Sequence, residues 1–505
     1  MHVVSDSGAG SATGEWTWAA VFGLTALITA GEVVYSQTMA CVVDEGYHLL
    51  AAELILLGKR PYLDFVFPQT PLNAYWNALW MGILGQSWRP IHLIAALETM
   101  AAVYITADFV LRRFPFAGWR LAAALTTVVV FGLNDAVFKF GAVAQPYGIC
   151  LLLSAASLRS AGAAVERESR WLAALAGACA AGAAASSLLT APVVPVLLVW
   201  TWFYSTPARR LGSCLSLLGG AVVPFLPSVW LLLHGPEQVI FGTIAYQLLY
   251  RRLDWPGAID HDAGVMLSWV DSGQALILIV LSLVALGFVR SRKDWTRLQR
   301  APFYLCGWMA LALAFHISQA HPTFAWYYLL MLPFLGVLAP LGLYALGSKL
   351  GYADRPFMAL LPVAVLGVLG LAKSVHAEWG YIRWSSYEEL AARVDAVSAP
   401  QTRIFADEQI YFLTRRMPPE GQEIEDSHKM ILPAQKAALL HIVPRADAYR
   451  HIKEGYFGTV VMCDDDAIND LDLAHRFSHQ ESFEDLDCTL FWQLAPLKTA
   501  TAGAT

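Results

Sequence analysis

Apolar residues fall in long, nearly unbroken blocks from Trp16 to Val375, separated by short polar connections, and after that point the blocks cease. A helix needs roughly 20 apolar residues to cross about 30 Å of hydrocarbon, and about eleven blocks meet or approach that length. They run Trp16 to Thr38, Arg89 to Leu111, Arg120 to Phe138, Pro146 to Leu158, Trp171 to Ser187, Thr190 to Tyr204, Leu211 to Leu233, Gln274 to Val289, Pro302 to Gln319, Phe324 to Leu346 and Pro356 to Val375. Between the first two blocks the pattern changes. From Asp44 to Gly58 it is helical and closes on glycine, but about 14 residues cannot span a bilayer, so this segment is predicted to lie along the interface. A second such piece, Leu72 to Leu84, follows the break "FPQTP".

Beyond Ala377 the pattern becomes that of an ordinary soluble domain. "RIFADEQIYFL" and "GTVVMCDDD" read as strands with helical periodicity between them. The predicted fold is therefore a polytopic α-helical membrane protein with a small α/β C-terminal domain. Residues 1–375 form the membrane module, with its first large loop at 39–88, and residues 376–505 form the soluble domain. The first block is read as an uncleaved helix, because no Lys or Arg precedes it and it is too long for a signal h-region.

Composition agrees with the pattern. Charged residues make up 15% of the chain, against about 25% in soluble proteins, so the chain belongs in a membrane. Its net charge of −6 carries no basic stripe, which excludes a nucleic-acid partner. The seven cysteines show no zinc spacing. Only Cys463 and Cys488 share a polar region, where a disulfide forms if that region lies outside the cytoplasm.

Cations give the orientation. "RRFPFAGWR", "RSAGAAVERESR", "STPARR", "RSRKDWTRLQR" and "SKLGYADR" fall in alternate connections and hold most of the loop Lys and Arg. By the positive-inside rule they face the cytoplasm of an inner (plasma) membrane protein. Asp44 and the C-terminal domain then face outward.

The stretch "DEGYHLLAAELILLGKRPYLDFVFPQTPLNAYWNAL" resembles the first outer loop of the GT-C superfamily of polytopic glycosyltransferases, in particular the branch of protein O-mannosyltransferases and the lipid A aminoarabinose transferase. The matching positions are Asp44, Glu45, Gly58, Pro61, Tyr62, Asp64, Phe65, Pro68, Pro71 and Leu72. "AQPYGICLLLS", "WYYLLMLPFLGVLA" and "IYFLTRRMPP" resemble further elements of the family, with Gln145 where relatives often carry Arg.

The resemblance implies an inverting glycosyltransferase using a polyprenyl-phosphate-linked sugar donor and a hydroxyl acceptor on lipid, glycan or protein at the outer face. It implies Asp44 as general base, with Glu45 as its hydrogen-bonding neighbour. The base needs cations beside it for the leaving phosphate. Outward cations are few: Lys59, Arg60, Lys139, Arg251 and Arg252 are the candidates, Arg being suited by its fixed donor fork. His48, one turn from Asp44, joins Tyr62, Asp64, Gln69, Asp135, Gln145, Trp255 and His321 as candidate sugar or acceptor contacts. Asp44 also stands where a helix N-cap would.

No cofactor is assigned. A divalent metal would need His316 or His321 with a carboxylate such as Asp44 or Asp260 to Asp262, and nothing in the spacing requires one. "CDDDAINDLD" lacks the glycine and terminal Glu of a calcium loop and is predicted to be a solvated loop. Glu32, Glu98 and Asp108 are intramembrane acids. The alternatives are a transporter or flippase of lipid-linked saccharides, which calls for internal repeats that are not seen, and a catalytically silent glycan-binding relative.

Overall fold

The computed structural model describes residues 10–42, 44–251, 257–424 and 430–495. Helix α1 (Gly10–Thr38) leads into α2 (Glu45–Leu56) and α3 (Leu72–Leu84), and α4 (Trp88–Arg113) returns. Then come α5 (Arg120–Gly132), a short α6 (Asp135–Phe140), α7 (Tyr147–Arg167), α8 (Arg170–Ser186) and α9 (Val193–Tyr204). Helix α10 (Arg210–Val222) continues through a 3-10 turn containing Pro224 into α11 (Leu226–His234). The short α12 (Pro236–Ile240), a π-helical segment Phe241–Tyr250 and α13 (Ala258–Asp271) precede α14 (Gly273–Ser291), α15 (Arg297–Ile317), α16 (Leu332–Lys349) and α17 (Pro356–Ala377).

Among the described residues, seven helical stretches are long and apolar enough to cross a membrane: Trp16–Thr38, Trp88–Arg113, Tyr147–Arg167, Arg210–His234, Gly273–Ser291, Ala325–Lys349 and Pro356–Ala377. Shorter apolar stretches cover Ala117–Gly132 and Leu188–Tyr204. The remaining expected blocks are helices too: α8 is shorter, and α15 opens on Arg297 and Arg300 behind a Thr296–Gln299 capping box. The third block does not run on to Phe138. It ends at Gly132, and the Asn134 side chain accepts the Val137 N–H to start α6, so Asp135 opens a separate helix.

With no water to expel, membrane helices associate through close packing of small residues. Helix α8, rich in Ala and Gly, packs between α7 and α10. A Cβ on Gly177 would collide with the Leu217 carbonyl, and one on Gly220 with the Ala174 carbonyl, so the two backbones touch. Glu32, fully buried in α1, has no hydrogen-bond partner for either carboxyl oxygen among the described residues.

Helix α2, expected to lie along the interface, is largely buried within the fold. Nine of its residues, Glu45 through Leu54 apart from Tyr47, are buried. It packs on α3 beneath and is covered by the C-terminal domain above. A helix apolar all round is a buried helix, and "EGYHLLAAELIL" is apolar on nearly every side.

The covering domain begins with α18 (Trp384–Val397) and contains β1 (Ile404–Phe405), α19 (Glu408–Thr414), α20 (Ala434–Leu439), α21 (Arg445–Lys453), β2 (Thr459–Met462), α22 (Asp465–Asp470), α23 (Leu473–Arg476), β3 (Phe477–Phe483) and β4 (Cys488–Leu494). Its sheet order is β1-β2-β4-β3, with β1 parallel to β2 and the other pairs antiparallel. Only Ile404 and Phe405 of "RIFADEQIYFL" are strand. The rest turns helical because Asp407 opens α19 and buries Gln409, Ile410, Tyr411 and Phe412 against α2 and α18. "CDDDAINDLD" is likewise helical in part: Asp464 Oδ1 accepts the N–H groups of Asp466 and Ala467 at 3.0 and 3.2 Å, capping α22. Cys463 and Cys488 form a disulfide across β2 and β4.

Gly177→Val is expected to destabilise the membrane bundle by about 1–3 kcal/mol through overpacking. Gly219→Ala, where a Cβ meets nothing within 4 Å, is the neutral control. Thermal unfolding in detergent measures the difference.

Candidate active site

Asp44 and Glu45 are adjacent, and a helix turns about 100° per residue, so they cannot face the same way. Asp44 occupies the N-cap of α2 but makes no side-chain capping bond; it is exposed and lines a cavity of about 310 Å³. Glu45 is 0% exposed and is held on every side. His92 Nε2 lies 2.9 Å from Oε2, the Ala144 N–H donates to the same oxygen at 2.9 Å, and the Trp384 indole N–H donates to Oε1 at 2.5 Å. These donors come from α4, the turn before α7 and α18. Glu45 therefore anchors α2 and has no face open to substrate.

The cavity lies between the end of α1, the start of α2, α6 and the connection after α17. Lys139 reaches into it and pairs with Glu378 at 2.5 Å, while the Tyr35 hydroxyl donates to the other Glu378 oxygen at 2.6 Å. Phe140 and Trp326 form an aromatic wall, stacked at 4.8 Å and 13°, and Phe324 stacks on Trp326 at 4.4 Å.

Arg251 follows the π-helical segment. It is partly buried, donates to the Tyr327 hydroxyl at 2.6 Å and lies over the Phe324 ring at 5.6 Å. Among the described residues no carboxylate pairs with it. Asp44 and Arg251 act on the same phenols: burial and the Asp44 charge push the Tyr47 hydroxyl well up, and Arg251 opposes them. Tyr147 and Tyr327 also lie within the electrostatic reach of both. Asp44 and Arg251 thus both lie within electrostatic range of Tyr47.

The other sequence candidates lie elsewhere. Arg60 closes on Asp64 through Nη2 at 2.8 Å and Nε at 2.8 Å, an exposed i,i+4 pair. Lys59 is exposed beside them. Tyr62 is buried with φ +66°, and its hydroxyl donates to the Gln69 carbonyl, while the Gln69 amide donates to the Tyr47 hydroxyl. His48 stacks on Tyr47 at 4.1 Å and contacts Asn73 at 3.3 Å; burial pushes its pKa down to about 3, so it is neutral. The Asp135 amide donates to Gln274 Oε1 at 3.0 Å. Gln145 is buried, and its side-chain carbonyl has no partner among the described residues. His321 Nδ1 meets Asp262 at 2.5 Å, and His316 Nε2 meets the Leu188 carbonyl at 3.1 Å. Arg252 and Trp255 lie outside the described residues.

Among the described residues, the one cluster of three metal-ligating types is Asp407 with Cys463 and Cys488. The two sulfurs are bonded to each other, so they offer no thiolate. Sequence reasoning missed Glu378, which lies just past the last apolar block and carries no motif, and His92 and Trp384, whose only signal is their burial in the folded chain.

The C-terminal domain closes over this site through charged and aromatic contacts. Arg89 and the Trp88 indole both donate to Glu388 Oε1, at 2.6 and 3.0 Å, Trp88 stacks on Trp384 at 5.3 Å, and Arg415 pairs with Glu53 at 2.9 Å.

No protein-family model and no curated protein matches this sequence. Solved structures do. ArnT from Cupriavidus metallidurans, bound to undecaprenyl phosphate, superposes with a TM-score of 0.65 at 16% identity, covering 98% of this chain and 100% of that one. The fold is that of ArnT. Its apo structure matches at 0.64, covering 95% of this chain and 98% of that one, again at 16% identity. The oligosaccharyltransferase AglB from Archaeoglobus fulgidus, in complex with an inhibitory peptide and a dolichol-phosphate, matches at 0.52 and 13% identity, over 97% of this chain and 76% of that one. The chain therefore shares its fold with both structures along nearly its whole length.

Trp384→Phe keeps the stack on Trp88 and removes one N–H from Glu45. It is expected to cost about 1–3 kcal/mol, read as a lower melting temperature. A second test is a pH profile. Burial pushes the Glu423 carboxyl up to about 7 from its ordinary 4.5. Folded and unfolded chains both hold the proton below 4.5, and the unfolded chain alone releases it between 4.5 and 7, so stability falls as pH rises through that window. Glu423→Gln is expected to abolish that part of the decline, on the order of 2 kcal/mol, measured by denaturation at pH 4.5 and pH 7.5.

Proposed function

We propose that this chain is an inverting glycosyltransferase that moves a sugar from a polyprenyl-phosphate donor to a hydroxyl acceptor at the outer face of the cell membrane. The observation that carries this reading is the division of labour between the adjacent acids: Glu45 is consumed in holding α2, and Asp44 lines a cavity, with Arg251 in electrostatic range of the same Tyr47.

Asp44 accepts the proton of the acceptor hydroxyl as its oxygen attacks the anomeric carbon from the face opposite the phosphate. The bond from that carbon to the phosphate oxygen breaks, and its electron pair stays on the departing polyprenyl phosphate. Arg251, oriented by Tyr327, stabilises the charge that develops there. The products are a glycoside of inverted configuration and polyprenyl phosphate. The tyrosines around Arg251 exclude water from the step and keep the guanidinium field strong.

Two observations support an outward site. The Cys463–Cys488 disulfide belongs to an oxidising compartment, and the cation-rich connections occupy the alternate ends of the spans. The fold shared with ArnT and AglB, whose structures hold undecaprenyl phosphate and dolichol-phosphate, supports a lipid-phosphate donor.

Asp44→Asn, assayed with polyprenyl-phosphate sugars for release of the free lipid phosphate, is expected to lose about 10² in turnover or more while retaining donor binding. Undiminished turnover in this variant removes Asp44 as the base. A parent protein that binds the lipid phosphate and transfers nothing rules out the transferase reading.

A further inference from the structure

Arg251 is held from two sides, and the Tyr327 phenol is only one of them. Its Nη2 donates to the Tyr327 hydroxyl at 2.6 Å, and its Nη1 donates to the Gln247 side-chain oxygen at 3.3 Å. Gln247 has a second partner: its Nε2 donates to the Pro68 carbonyl at 2.6 Å. An arginine only donates and a carbonyl only accepts, so these two neighbours settle which end of the amide is which. Gln247 thereby joins Arg251 to the first large loop.

The loop end of this link is a fixed point. Pro68 precedes Gln69, whose carbonyl accepts the Tyr62 hydroxyl and whose amide donates to the Tyr47 hydroxyl. The π-helical segment that carries Gln247 rests on the same loop, since a Cβ on Gly242 would collide with the Phe67 carbonyl and the Tyr62 ring. Its exposed residues are the apolar Ile244, Leu248 and Leu249. A π-helical turn is rare and concentrates where a side chain must be re-aimed for function.

A guanidinium carries five N–H donors. Gln247 and Tyr327 take one each, and both are uncharged, so among the described residues three donors and the whole positive charge stay available. We infer that Gln247 is a positioning residue, which holds the Arg251 guanidinium in register with the first large loop so that its remaining donors meet the phosphate of a lipid-phosphate ligand. Only an amide does this. A carboxylate in its place would cancel the charge of Arg251 and set an oxygen against the Pro68 carbonyl, and an apolar side chain would satisfy neither neighbour. The inference rests on the transferase reading for placing a lipid phosphate at Arg251.

The test uses the full chain in lipid nanodiscs without acceptor, and measures affinity for a polyprenyl phosphate and for the polyprenol of the same chain length. The readout is the ratio of the two affinities, because a general loosening of the fold weakens both probes alike and leaves the ratio unmoved. The parent is expected to favour the phosphate by at least about tenfold, and Arg251→Met to remove that preference. Gln247→Met, similar in length, is expected to lower the ratio about fivefold through loss of one hydrogen bond to the guanidinium. Gln247→Glu is expected to lower it further; where that variant does not fold, Gln247→Met decides alone. A parental ratio in Gln247→Met, equal losses for both probes, phosphate affinity in Gln247→Glu at or above the parental level, or a preference that survives Arg251→Met would overturn the assignment. A phosphate preference that depends on Gln247 in a chain that transfers no sugar sinks the transferase reading and leaves the positioning role standing. Sugar transfer by a chain whose preference is indifferent to Gln247 does the opposite.

Discussion

A fully buried carboxylate is tolerated only when its oxygens are saturated with donors, and Glu45 meets that condition with three N–H groups from three separate parts of the chain. The histidine partner makes the arrangement stricter. His92 Nδ1 lies 2.7 Å from the Ser36 carbonyl while Nε2 faces Glu45, so both ring nitrogens meet acceptors. Nδ1 must carry its proton, and one further proton sits between Nε2 and Glu45. The Ala144 and Trp384 N–H groups are directed at the same carboxylate. Removing any donor would leave charge uncompensated in a dry site. The first turn of α2 is thereby fixed to α1, α4, the turn before α7 and the C-terminal domain at once.

That constraint is what gives Asp44 a defined position. Asp44 makes no side-chain capping bond to α2, and its backbone is pinned one residue away by Glu45. Gly46 extends the same logic. A Cβ there would lie 2.5 Å from the Gln409 side-chain amide, so a larger residue would have to displace that side chain where α19 settles on α2. The C-terminal domain is thus a structural part of the site: it contributes Trp384 to the anchor and covers α2, through contacts made by residues more than three hundred positions later in the chain.

This distance in sequence explains what could be read beforehand. Local signals were legible: the apolar blocks, the glycine that ends α2, and the paired cysteines of the tail. Asp44 and Glu45 were legible as a pair, but two adjacent acids look alike until partners are known, and Glu45's partners are 47, 99 and 339 residues away. The same holds for Lys139, an outward cation by sequence whose charge is cancelled by Glu378. The aromatic and β-branched run after Arg403 carries a strand signal, but the tertiary contacts that bury Gln409 to Phe412 make it helical. Buried helices and strands both read as continuous apolar runs, and length alone does not separate them in so short a segment.

The contrast between the two cations is the last consequence of these long-range partners. A carboxylate partner holds a cation in place and cancels its field, as Glu378 does for Lys139. A phenol partner holds a cation in place and leaves its charge intact, as Tyr327 does for Arg251. Arg251 pairs with no carboxylate among the described residues, and its partial burial is offset by the Phe324 and Tyr327 rings, whose faces lie 5.6 and 5.8 Å from it and attract a cation electrostatically. A field kept available in this way acts only on a ligand brought to it. An anion arriving at Arg251 gains a hydrogen-bonding fork that needs no reorganisation, whereas one arriving at Lys139 must first displace Glu378. Orientation without neutralisation, rather than the number of cations near Asp44, decides where a negative group can be held.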